Sequence, residues 1–273
     1  MIFRNFHHIR KHFHDAYFGR LPRTITSCRC VGGVCFVVVV IPDEPFGRLG
    51  AVLSALIAAI SLIGLTVHRD FYAGRRRKDF FCFYTNVSNL LVLLYFALLA
   101  PRLYASARLR PLIPHAEFSL MMSIMLTFMV FHHLLSPAIY RTMKSAPRDR
   151  EFAIVFADNL IIHYLVPWLV LAYWLLCSPG KRMLRVSDAL LWTLVPLGYL
   201  GWIFLSAPLR GNIENTDSPY PYPFLNVRRL GVRRVAAACT LLYGACAVAG
   251  LVVVVLTQLS FAHFGGGHAL ILI

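Results

Sequence analysis

Two stretches of this chain place the residue types of acyl-transfer chemistry inside otherwise apolar segments. The first, residues 80–99, reads FFCFYTNVSNLLVLLYFALL and carries Thr85, Asn86, Ser88 and Asn89 near its start. The second, residues 152–176, reads FAIVFADNLIIHYLVPWLVLAYWLL and carries Asp158, Asn159 and His163 in its first half. A hydroxyl is a weak nucleophile until a base takes its proton, and neutral imidazole has suitable basicity. Thr85, Ser88 and Asn89 fall at i, i+3 and i+4, so they share one face of a helix. Asn159 and His163 are also one turn apart, and Asp158 or Asn159 is placed to orient the imidazole. The side-chain amides of Asn86 and Asn89 are candidate donors to a developing oxyanion. Ser88, one turn from Thr85, is a competing nucleophile. Pro167 has no N–H for the carbonyl of His163, which predicts a kink beside that residue. A third apolar segment ends in FMVFHHLLSP, and its His132 and His133 complete the supporting polar shell. Each of these groups has an ordinary reading when taken alone. Threonine bonds back to its own helix, amides hold helices together in lipid, and a histidine near a span end faces headgroups. The combination on two separate segments is what points to chemistry.

The segments that must position these residues are membrane spans. Of the 273 residues, 58% are hydrophobic and 14% charged, with mean hydropathy +0.65, against about 25% charged in soluble domains. Six apolar runs are long enough to cross a bilayer, at about 47–67, 80–99, 117–136, 152–176, 187–206 and 235–256. The expected fold is therefore all-α and integral to the membrane, a six-helix transmembrane bundle. The net charge of +15 comes from Lys and Arg lying almost entirely between the runs. There they anchor the protein at the membrane surface, and no groove-reading motif points to nucleic acid. The charges nearest the span ends favour both termini outside. A polar face on a spanning helix needs partners within the protein, because lipid offers none. A site in that setting suits membrane lipids, with an ester entering sideways from the bilayer.

The flanks carry less chemistry. Residues 1–46 form a basic, His-rich segment expected to be poorly ordered or surface-lying, and 257–273 a short tail. His8 and His12 have the spacing of a metal pair, yet an amphipathic surface segment explains them better. Cys28, Cys30 and Cys35 lack the paired spacing of a zinc site, and the cysteines near spans read as small apolar residues. No metal and no cofactor is expected. The longest loop holds SPYPYPFLNV, where prolines limit the backbone. Its Tyr220, Tyr222 and Phe224 form a candidate lid, or alternatively anchors at the membrane interface.

The segments FFCFYTNVSNLL, DNLIIHYLVPWLVLAYWLL and SPYPYPFLNV, in that order, resemble the Pr6Pr family of membrane proteins. That family is similar to the androgen-induced FAR-17a family of six-span intramembrane threonine hydrolases. The likeness covers about residues 48–256. It implies a Thr nucleophile on the second span and a His on the fourth, which match Thr85 and His163 here. It also implies fatty acid esters of hydroxy fatty acids as the substrate class, and a multi-pass protein of the cell membrane. Two other functions fit the residues without the likeness. One is a small transporter or proton-linked carrier with Asp158, His163, His132 and His133 as a relay, although no internal repeat is visible. The other is a lipid-binding membrane protein without turnover.

Overall fold

The computed structural model describes residues 25–31, 34–41, 48–68, 79–144, 150–179, 181–213, 216–264 and 268–272. His8 and His12 lie outside the described residues. The chain forms two units, Pro45–Leu259 and a smaller one made of Met1–Glu44 with Ser260–Ile273. In the smaller unit Ile25–Val31 pairs antiparallel with Val34–Ile41, which pairs in turn with His268–Leu272. The sequence VCFVVVVI, too short to span, is β-branched enough to prefer a strand.

Among the described residues the larger unit is all-α, with six helices long and apolar enough to cross a membrane. They are Leu49–Val67, Tyr84–Ala105, Arg110–Leu135, Phe152–Leu176, Asp188–Arg210 and Val232–Phe261. Their outward faces are leucine and valine, with Leu205, Leu209 and Leu241 among the most exposed side chains. That inversion of the soluble pattern is what a lipid-facing surface requires. The second and third spans are the most buried and the sixth the least. The first span packs on the second and fourth, and the third packs on the same two, so these four make the core. Gly64 brings the first span close to the fourth: a Cβ there would lie 2.7 Å from the Cγ2 methyls of both Ile161 and Ile162.

Three spans share a local device. Tyr95–Leu99, Phe131–Leu135 and Ile161–Leu165 are single π-helical turns, and each is followed two residues later by proline, at Pro101, Pro137 and Pro167. Proline lacks an N–H and its ring crowds the carbonyl four residues back. Widening the preceding turn relieves that crowding. The residue before each proline then bonds five back: Ala100 to Tyr95, Ser136 to Phe131, and Val166 to Ile161. One carbonyl per turn loses its helical donor as a result. At His132 the Ser136 hydroxyl fills that place at 2.8 Å.

A buried polar centre ties three of the core spans together. Tyr95, Tyr104 and Tyr173 all donate to Glu117 Oε1, at 2.8, 2.9 and 3.1 Å. Glu117 is buried in the third span, while the tyrosines come from the second and fourth. A carboxyl in hydrocarbon is tolerated only with such partners. Hydropathy treats Glu117 as a span boundary, but the third helix begins a full turn earlier and carries it inside.

Candidate functional site

The second span does not begin at Phe80. Phe80–Cys82 is a separate 3-10 turn, Phe83 is extended, and the α-helix starts at Tyr84. Asn86 makes the break, because its amide donates to the carbonyl of Phe80 at 2.7 Å. Thr85 is consequently the second residue of a helix, where main-chain N–H groups have no intrahelical acceptor.

Thr85 Oγ1 lies 3.3 Å from Nε2 of His163, and both side chains are buried. The fourth span is turned toward Thr85 by its π turn, which contains His163. The imidazole stacks on Phe131 of the third span, with ring centroids 3.7 Å apart and planes at 22°. That contact fixes the ring plane. For Nε2 to accept the Thr85 proton, the ring carries its own proton on Nδ1.

Asn89 joins the two halves of the site. Its amide nitrogen donates to the carbonyl of Thr85 at 2.8 Å and to that of Ile162 at 3.2 Å. Ile162 is the residue whose carbonyl the π turn and Pro167 leave without a helical donor. The kink expected at Pro167 is therefore a π turn, and its orphaned carbonyl is satisfied by the helix that carries Thr85. Asn89 holds Thr85 and the neighbour of His163 in register.

Of the two asparagines expected at an oxyanion, Asn89 has both side-chain N–H groups on main-chain carbonyls, those of Thr85 and Ile162, whereas Asn86 commits one of its two, to Phe80. Their side-chain oxygens are buried and make no hydrogen bond among the described residues. These amides therefore leave over acceptors, which repel developing negative charge rather than hold it. Ser88 is likewise committed. Its hydroxyl donates to the Thr85 carbonyl at 3.0 Å and meets Thr127 Oγ1 at 2.7 Å, bridging to the third span. His163 lies with Thr85, not with Ser88.

Other residues of the expected shell sit elsewhere. Asn159 donates to the carbonyl of Val155 within its own helix at 2.9 Å, a bond typical of a span amide. Asp158 is half-buried beside it. His132 and His133 are exposed, and His132 Nδ1 meets the Tyr164 hydroxyl at 3.2 Å. They stand apart from the Thr85–His163 pair because the π turn at Phe131–Leu135 presents Phe131, not the histidines, to the interior.

The loop after the fifth span closes the Thr85 end. Arg210, last residue of that span, donates to the Pro219 carbonyl at 2.6 Å and pairs with Asp79 at 3.9 Å. Asn226 holds the loop from its other side, donating to Ser218 at 3.1 Å and capping the N–H of Arg229. Tyr222 is buried, with its ring stacked on Phe224 at 5.5 Å, and Tyr220 leans on Phe204. The Tyr222 hydroxyl accepts the first N–H of the Thr85 helix, that of Tyr84, at 3.3 Å. Tyr199 donates to the Cys82 carbonyl at 2.6 Å. Burial pushes the Cys82 thiol up to about 11, so this cysteine is an apolar filler rather than a nucleophile.

An apolar cavity of about 230 Å³ lies between the second, third and fifth spans, lined by Leu91, Tyr95, Leu99, Leu120 and Val195 among others. Neither Thr85 nor His163 lines it. Leu91, its wall residue nearest in sequence, stands about 9 Å along the helix axis from Thr85. Three contacts in this region went unread in the sequence: Thr127 under Ser88, Phe131 under His163, and Tyr222 at the helix start. The repeated proline two residues beyond each π turn was a legible signal for the second.

No protein-family model, no curated protein and no solved structure matches this chain.

Proposed function

We propose that this six-span membrane protein is a lipid ester hydrolase in which Thr85 is the nucleophile and His163 the base. The observation that carries the reading is the 3.3 Å approach of Thr85 Oγ1 to His163 Nε2, made by two spans far apart in sequence. In the reaction, Nε2 takes the Thr85 proton as Oγ1 bonds to the acyl carbon. The ester C–O bond then breaks, and the leaving alkoxide receives that proton from the imidazolium. Water, deprotonated by the same nitrogen, cleaves the resulting acyl-threonine and regenerates the hydroxyl. Burial of the pair in a lipid-facing bundle suits an apolar ester that arrives from the leaflet. The likeness to the Pr6Pr and FAR-17a families supports the same reading. It makes fatty acid esters of hydroxy fatty acids the substrate class, membrane lipids the partners and the cell membrane the location.

The test is turnover of such an ester by purified protein in detergent micelles, for the parent and for His163→Gln. The parent should hydrolyse it, and the variant should lose about 10²- to 10⁴-fold in kcat, the range of a general base. A parent inert toward every long-chain ester tried, or a His163→Gln form as fast as the parent, would remove the hydrolase reading.

A further inference from the structure

A threonine–histidine pair supplies attack and proton transfer but leaves the carbonyl oxygen's new charge unattended. In a buried site that charge needs donors fixed beforehand. Asn89 has both of its N–H groups, and Asn86 one of its two, on backbone carbonyls. Tyr199 has likewise given its proton to Cys82. Among the described residues, the hydroxyl anchored at the start of the Thr85 helix is that of Tyr222. It accepts the Tyr84 N–H, so its own O–H is left to donate.

We propose that the Tyr222 hydroxyl, held at the first turn of the Thr85 helix by the Tyr84 N–H, is the oxyanion donor of this site. The inference rests on Thr85 being the nucleophile. The hydroxyls of Thr85 and Tyr199 interact with that of Tyr222, and an alkoxide-like oxygen on the substrate is a strong acceptor that draws the Tyr222 proton as charge develops. Burial holds the phenol up at about 12, so it keeps its proton at neutral pH and donates without ionising. The main-chain N–H of Thr85 itself, second in the helix, is the natural companion donor. The loop thus does more than cover the site, because Arg210 and Asn226 fix the position of a reacting group.

Tyr222→Phe tests the assignment in the same micelle assay. Its kcat should fall about 10²- to 10³-fold with KM little changed, the signature of a contact made only in the transition state. A parent that does not turn over ester defeats the hydrolase reading, and this inference with it. An active parent whose Tyr222→Phe form keeps its kcat overturns the inference alone. If Tyr222→Phe does not fold, replacing Tyr222 by 3-fluorotyrosine keeps the ring and hydroxyl while making the O–H more acidic. A kcat that moves with that acidity supports the donor role, and a kcat equal to the parent's overturns it.

Discussion

Thr85→Ala should lower ester turnover by at least about 10³-fold while leaving the bundle folded. The expectation of a folded variant comes from how Thr85 is held. Ser88 and Asn89 bond to its main-chain carbonyl, not to its hydroxyl, at 3.0 and 2.8 Å. Those bonds survive the substitution, as does the bond from Asn89 to Ile162 that fixes the fourth span. The thermal transition should therefore stay within about 3 °C of the parent. Thr85→Ser, which keeps an oxygen at the same position, should retain much of the activity. Residual turnover in Thr85→Ala equal to the parent's would assign the chemistry elsewhere.

Glu117→Ala should give the largest loss of stability. Three phenols converge on one oxygen of this carboxyl, and Tyr104 and Tyr173 also meet each other at 3.0 Å. Removing the acceptor leaves buried hydroxyls with too few partners and a cavity beside them. Each effect costs on the order of 1–3 kcal/mol, together about 3–5. For a domain of this size the transition should fall by about 6–20 °C. Glu117→Gln keeps a carbonyl oxygen for the same donors and should fall much less. Equal melting of Glu117→Ala and the parent would show that the tyrosines do not depend on it. Because Glu117 is separate from the Thr85–His163 pair, the folded fraction of the variant should hydrolyse ester at the parent's rate.

The architecture was legible because hydropathy acts over whole spans, and six apolar runs separated by arginine-rich loops have few alternatives. Boundaries were less so. Phe80 to Phe83 is as apolar as the helix that follows, and only the bond from Asn86 to Phe80 O, invisible to hydropathy, separates them. Of the site, Thr85 and His163 could be put forward from residue type, whereas their meeting at 3.3 Å could not. Their neighbours could be found but not assigned. An asparagine in a span is equally able to donate to an oxyanion or to a carbonyl, and which carbonyls lack partners depends on π turns set by Pro167. Asn89 therefore turned out to be a tie between helices. His132 and His133 are polar groups near a span end that could join the shell or face headgroups, and the π turn decides it by giving the interior to Phe131. Tyr222 could be seen only as an aromatic in a proline-rich loop, because its contact with Tyr84 spans 138 residues.

The most direct measurement is covalent capture. Purified parent protein would be treated with a long-chain fluorophosphonate, which forms a stable bond with an activated hydroxyl, and the adduct located by peptide mass spectrometry. Thr85 as nucleophile predicts a single adduct on Thr85, slowed strongly in His163→Gln and absent from Thr85→Ala. An adduct on Ser88 instead, or none on a preparation that is hydrolysing ester, would contradict it.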